Sequence, residues 1–153
     1  YKIYSELFDD NISSLSIGLS SATSVTGDDI KLSERLYIPS RKLRGFESGR
    51  IGPKDGDDYI GGNYYALMNI SATIPQILPN AQNLEVVSFL DMANLWGVYD
   101  KSLDDGNKLR SSIGLGIDWF TPVGPLNFSF AYPITKHSTD KTESFRFNLG
   151  TTF

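Results

Sequence analysis

Apolar and polar side chains alternate along most of this chain, most clearly at its end. From Ser144 to Phe153, Phe145, Phe147, Leu149 and Phe153 alternate with Ser144, Arg146, Asn148, Gly150 and Thr152. A period of two is the signature of a β-strand, whose successive side chains point to opposite faces. Upstream, Leu126, Phe128, Phe130 and Tyr132 stand against Asn127, Ser129 and Ala131. Leu109, Ile113, Leu115, Ile117 and Trp119 stand against Arg110, Ser112, Gly114, Gly116 and Asp118. Further sets are Leu84, Val86, Leu90 and Met92 opposing Glu85, Val87, Phe89 and Asp91; then Tyr64, Ala66, Met68, Ile70 and Ile74. Leu15, Ile17 and Leu19, and lastly Tyr1, Ile3 and Leu7, complete seven strand candidates. No convincing amphipathic helix interrupts them. The pattern predicts an all-β, antiparallel fold.

Composition narrows the function. With 14 Lys plus Arg against 18 Asp plus Glu the net charge is −4, the wrong sign for a nucleic-acid footprint. There is no Cys, which excludes thiol catalysis, disulfide scaffolds and Cys-ligated metals. The single histidine, His137, leaves no His-based triad and no multi-His metal site. The chain is therefore not expected to be an enzyme or to carry a cofactor or metal. No segment approaches the ~20 continuous apolar residues of a membrane-spanning helix. The sequence opens on Tyr-Lys-Ile-Tyr, already inside a predicted strand, with no signal peptide. It reads as a piece of a longer protein.

The connections carry a second signal. Compact turns at Asp9-Asp10-Asn11, around Pro75 to Gln82, and at Thr121 to Pro125 alternate with longer polar segments: about 21–62, 97–107 and 133–143. Up-and-down outer-membrane barrels alternate in this way, and their strands span ~9–11 tilted residues. The competing reading is a soluble antiparallel sandwich, whose strands also alternate. Two features favour the barrel. The polar face is rich in Gly and Ser rather than Lys and Glu, which suits a lumen. Aromatics (Tyr64, Trp96, Trp119, Tyr132, Phe153) also sit near strand ends, as in an interfacial girdle. Seven strands do not close a bacterial barrel, the smallest of which have about 8. The missing strands are expected before Tyr1.

The longest connection holds Leu43-Arg44-Gly45-Phe46, then Ile51-Gly52-Pro53 and Gly61-Gly62-Asn63. Connections above ~12–15 residues are usually functional or disordered. In the strand motif Phe89-Leu90-Asp91-Met92, positions 89 and 91 share the lumen face. A carboxylate turned into a barrel either stays hydrated or finds a partner. Arg44 is the candidate, because its guanidinium can engage Asp91 bidentately while Phe89 or Phe46 stacks on it. Asp55-Gly56-Asp57-Asp58 and Asp104-Asp105-Gly106 lack EF-hand spacing and read as acidic loop tips. His137 reads as an exposed residue of the last long connection.

Leu-Arg-Gly-Phe, Ile-Gly-Pro, Gly-Gly-Asn, Phe-Leu-Asp-Met-x-x-Leu-Trp, Trp-Phe-Thr-Pro-Val-Gly-Pro-Leu and the last strand follow in order from about Leu32 to Phe153. This succession resembles the C-terminal barrel of the BamA family (bacterial surface antigens), the central subunits of the β-barrel assembly machinery of Gram-negative outer membranes. The resemblance implies about seven strands of a sixteen-stranded transmembrane barrel, preceded by periplasmic POTRA repeats. It implies that the long connection (about 21–62) folds into the lumen, with Arg44, Gly45 and Phe46 docking on Phe89 and Asp91. Ser71 stands where the family often has a Glu that also faces the Arg, so less charge compensation is expected. Ala93 replaces a usual Gly. The last strand, 144–153, resembles the C-terminal β-signal, carried here by Phe145, Phe147, Leu149, Gly150 and Phe153.

The function implied is folding and inserting β-barrel proteins by strand pairing at an opened edge, with no covalent chemistry. The partners implied are unfolded outer-membrane clients, accessory lipoproteins and outer-membrane lipid. A TamA-like factor, a two-partner-secretion transporter and a passive porin or adhesin remain alternatives. The isolated chain, with two open edges and an apolar outer face, is expected to self-associate or to need detergent.

Overall fold

The computed structural model describes residues 1–8, 11–24, 30–75, 83–100, 102–103, 108–122 and 124–150. Seven strands form one antiparallel sheet in chain order: β1 (Lys2–Phe8), β2 (Asn11–Ser21), β5 (Tyr64–Ile74), β6 (Leu84–Trp96), β7 (Arg110–Thr121), β8 (Gly124–Thr135) and β9 (Phe145–Leu149). A separate two-stranded hairpin, β3 (Lys54–Asp55) with β4 (Asp58–Tyr59), lies within the long connection. The seven strand candidates thus correspond to the sheet, and the hairpin is an addition. The described residues contain no α-helix, only 3-10 turns at Leu32–Glu34 and Ser40–Lys42.

Register explains the two faces. One row across the sheet is Ile70, Leu90, Ile113 and Tyr132; another is Ile117, Phe128 and Phe147. These apolar rows point outward: Ile113, Phe147 and Leu149 are 50%, 50% and 66% exposed. Cross-strand aromatic pairs reinforce the face, Phe128 with Phe147 at 5.1 Å and Phe130 with Phe145 at 5.0 Å. Tyr64 stacks on Trp96 at one rim, whereas Trp119 lies at the other. A large exposed apolar face belongs in lipid rather than water.

A sandwich would bury such rows against a second sheet. Here the buried core lies on the opposite face, between the sheet and the long connection 22–63: Ile38, Leu43, Phe46 and Ile51 pack on Leu67, Ala93 and Leu95. The lumen wall is therefore apolar where the connection covers it, and not uniformly polar as the Gly and Ser content suggested. Gly52 allows that closeness. Its φ is +95°, and a Cβ there would stand 2.6 Å from Leu95.

Two boundaries differ from expectation. β8 runs through Pro133 to Thr135, because the ladder with β7 bulges there: Ser111 pairs with Thr135, Ser112 with Pro133, and Ile134 is extra. A bulge accommodates a proline, which has no N–H for the ladder. The connection 136–144 is consequently no longer than the stretch 75–83 between β5 and β6, so lengths do not alternate strictly. β9 ends at Leu149, with Gly150 at φ +126°; Phe153 lies outside the described residues.

Candidate functional site

Antiparallel register brings Asn69, Asp91, Ser112 and Pro133 into one row across β5 to β8. Phe89 lies in the next inward row, with Ser71, Gly114 and Ala131. The tip of the long connection, Leu43 to Phe46, sits on these rows. Asp91 is fully buried, and its carboxylate accepts four N–H groups. Oδ2 takes Arg44 Nε at 2.7 Å and the Arg44 backbone N–H at 3.1 Å. Oδ1 takes Arg44 Nη2 at 2.8 Å and Asn69 Nδ2 at 2.9 Å. A buried carboxylate is tolerated only when paired and hydrogen-bonded to this degree.

One face of the guanidinium rests on Phe89, with Arg44 Cζ 3.4 Å from the ring centroid. Phe89 has room to lie there because Gly114 is opposite; a Cβ on Gly114 would fall 2.5 Å from Phe89 Cζ and 2.1 Å from the Phe130 carbonyl. Gly45 has φ +89°, and its own Cβ would meet Ser112 Cβ at 3.1 Å and Ala131 Cβ at 3.2 Å. A residue without a side chain is thus required at the tightest point of the dock. Ser112 donates its hydroxyl to the Arg44 carbonyl, and Asn69 donates to Lys42 O at 2.7 Å. Phe46 is 2% exposed, in the core described above.

The structure therefore brings Arg44, Gly45, Phe46, Phe89 and Asp91 together. Ser71 lies apart from the ion pair, its hydroxyl 2.7 Å from that of Ser14. Asn69 is instead the extra partner of Asp91. Neither Asn69 nor Ser112 was distinguishable in sequence from any other small polar residue of the inward face. Arg44 is closed in on the Asp91 side, and elsewhere it borders a hollow of about 510 Å³ shared with Arg41, Lys42, Ser71, Asn127 and Arg146. Phe145, Phe147 and Leu149 face outward on β9, away from this site.

A second contact surface joins the long connection to residues 136–144. Phe46 and Thr142 form a β-bridge, and the Glu47, Lys141 and Glu143 amides donate to Lys141 O, Arg50 O and Gly45 O at 3.0, 3.0 and 3.1 Å. Arg110, fully buried, holds Asp140 at 2.9–3.0 Å. Asp140 in turn accepts the His137 backbone amide at 2.6 Å, and His137 is half-buried. Tyr59, on β4, donates to the Thr139 carbonyl. Burial and then the Asp140 charge push its phenol above the ordinary value. Asp55, Asp57 and Asp58 form the exposed tip of the β3–β4 hairpin, while Asp104 and Asp105 lie outside the described residues. Among the described residues no three acidic or His side chains converge as a metal site.

Residues 1–153 match the profile of the Omp85 superfamily domain throughout. The chain belongs to the Omp85 superfamily. The outer membrane protein assembly factor BamA of Neisseria meningitidis serogroup B is 35% identical over 141 residues, covering 72% of this chain and 17% of that protein. BamA of Neorickettsia risticii is 30% identical over 132 residues, covering 84% of this chain and 18% of that protein. The crystal structure of BamA from Haemophilus ducreyi lacking POTRA domains 1–3 superposes with a TM-score of 0.86 at 27% identity, over 95% of this chain and 32% of that one. This Omp85 chain thus spans less than a fifth of those two relatives' length. Its sheet is that of a BamA-type outer-membrane barrel, left open here as seven strands.

Proposed function

We propose that this chain is the C-terminal part of the barrel of an outer-membrane assembly factor, which folds and inserts other β-barrel proteins into the outer membrane. The observation that carries the reading is the dock of Arg44 on Asp91 and Phe89, which holds a 22–63 connection inside the barrel wall. The naming of the relatives as assembly factors supports it. A connection fixed on the inner wall gives the barrel a packed interior, and pairing with a client strand would take place at a strand edge opened in the whole barrel.

The mechanism is edge-strand templating. A strand edge carries unpaired N–H and C=O groups that fix an incoming strand by main-chain hydrogen bonds, while alternate side chains set its register. β9 would serve as the C-terminal β-signal, with Phe145, Phe147, Leu149, Gly150 and Phe153 as its recognition residues. Clients, accessory lipoproteins and lipid are the partners; no nucleotide, metal or covalent step is required. The test is complementation by the full-length protein. Arg44→Ala is expected to expose the long connection to protease and to impair client assembly. A variant that is protease-resistant and fully active would overturn the role of the dock.

A further inference from the structure

Arg146 is the one charged side chain that β9 turns inward, and its contacts reach across the site. Nη1 donates to the Ser40 carbonyl, and Nη2 donates to the Phe46 carbonyl at 2.6 Å. Nε and Nη2 both reach Glu143 Oε2, at 2.9 and 2.6 Å. The Arg146 side chain, 12% exposed, therefore grips the docked tip on both sides of Arg44 while standing on β9. Only Ser144 and Phe145 separate Glu143 from Arg146, and residues 141–143 already form a short antiparallel ladder with 45–50. The connection 136–144 is thus shared between the dock and the start of β9.

The grip acts directly on β9. Over Phe145–Leu149 this strand is laddered to β8, and Arg146 lies within that ladder opposite Ser129. Local opening free energies vary across a structure with the contacts each element makes, so side-chain anchors from a connection to a strand count toward what keeps that strand closed. The fork geometry matters too, because three partners at different angles suit a planar guanidinium and not a single ammonium.

We propose that Arg146 is a positioning residue that couples the docked long connection to the closed state of the last strand, so that releasing one loosens the other. The inference rests on the proposed function only in giving that strand's opening a purpose; the coupling stands on the contacts. Linkage requires it to be reciprocal.

Hydrogen exchange of the full-length protein in lipid nanodiscs tests it, read in segments 43–50 and 145–149, with β5 and β6 as the control. Arg44→Ala should raise exchange in 145–149 by roughly 5- to 150-fold, the usual span of a coupling between two sites. In an Arg146→Ala background the same substitution should add nothing there. Release of 43–50 with 145–149 at the parental rate, or an equal increment in both backgrounds, would overturn the proposal. If Arg146→Ala fails to fold, Arg146→Lys supplies the second background, with the increment expected to be reduced and an undiminished one overturning the coupling. Client assembly is scored separately: intact coupling without assembly activity would refute the proposed function and leave this inference standing.

Discussion

Arg110–Asp140 and Arg44–Asp91, two ion pairs among the described residues, hold the inner side of this sheet and are built differently. Arg110 and Asp140 are both completely buried, and they pin the connection 136–144 onto β7. Arg44 and Asp91 are asymmetric: the carboxylate is completely buried, whereas the arginine keeps 21% of its side chain exposed and borders the hollow. Asp91 sits on a fixed wall strand and Arg44 on a connection, with Phe89 as a flat rest for the guanidinium. The first pair is a clamp with no route to water for either partner. The second can be left by its arginine alone, at the cost of exposing a carboxylate that still has Asn69 as a donor. Burial on one side only makes a pair releasable.

Breaking the clamp should have the largest effect. Arg110→Ala leaves Asp140 buried without its counter-ion, and losing one partner of a buried pair costs about 3–5 kcal/mol. Thermal unfolding of the full-length protein in detergent should show it as a lower Tm. Arg44→Ala should cost less global stability, and its main effect should be protease sensitivity of residues 22–63. Equal loss of stability in the two variants would erase the distinction between clamp and releasable pair.

A smaller effect is expected from Gly45→Ala, which forces a side chain into a left-handed backbone at ~1–2 kcal/mol and against Ser112 and Ala131. It should release the connection as Arg44→Ala does, with the Arg110–Asp140 clamp intact, which proteolysis of 22–63 beside 136–144 would show. Asn69→Ala removes one of four donors to Asp91 and should cost about 1–3 kcal/mol, less than either charge removal. The smallest effect is Tyr59→Phe. The phenol's raised pKa favours the neutral form, so its contribution is fully present below the unfolded value of 10.0 and is lost as pH rises from there through the higher folded-state value. The difference between parent and Tyr59→Phe in proteolysis of the β3–β4 hairpin should therefore vanish at high pH.

Alternation from Leu15 to Leu149 determined the strands, their two faces and their meander order, because a period of two and short links leave an antiparallel sheet few other arrangements. The motifs around Arg44 and Asp91 marked candidate residues. They carried no sign of Asn69, Ser112 or Gly114, which reach the dock only through the register of β5 to β8. Arg110 and Asp140 are thirty positions apart, in a strand and a connection whose boundary moved with the bulge at Ile134.

Arg146 is one inward residue of an alternating strand, like Asn148, until the long connection brings Ser40 and Phe46 within its reach. Sequence spacing is local and says which face a side chain occupies. What that face meets depends on where a connection of more than forty residues folds back, and Leu43, Phe46 and Ile51 decide that by leaving water on the inner wall.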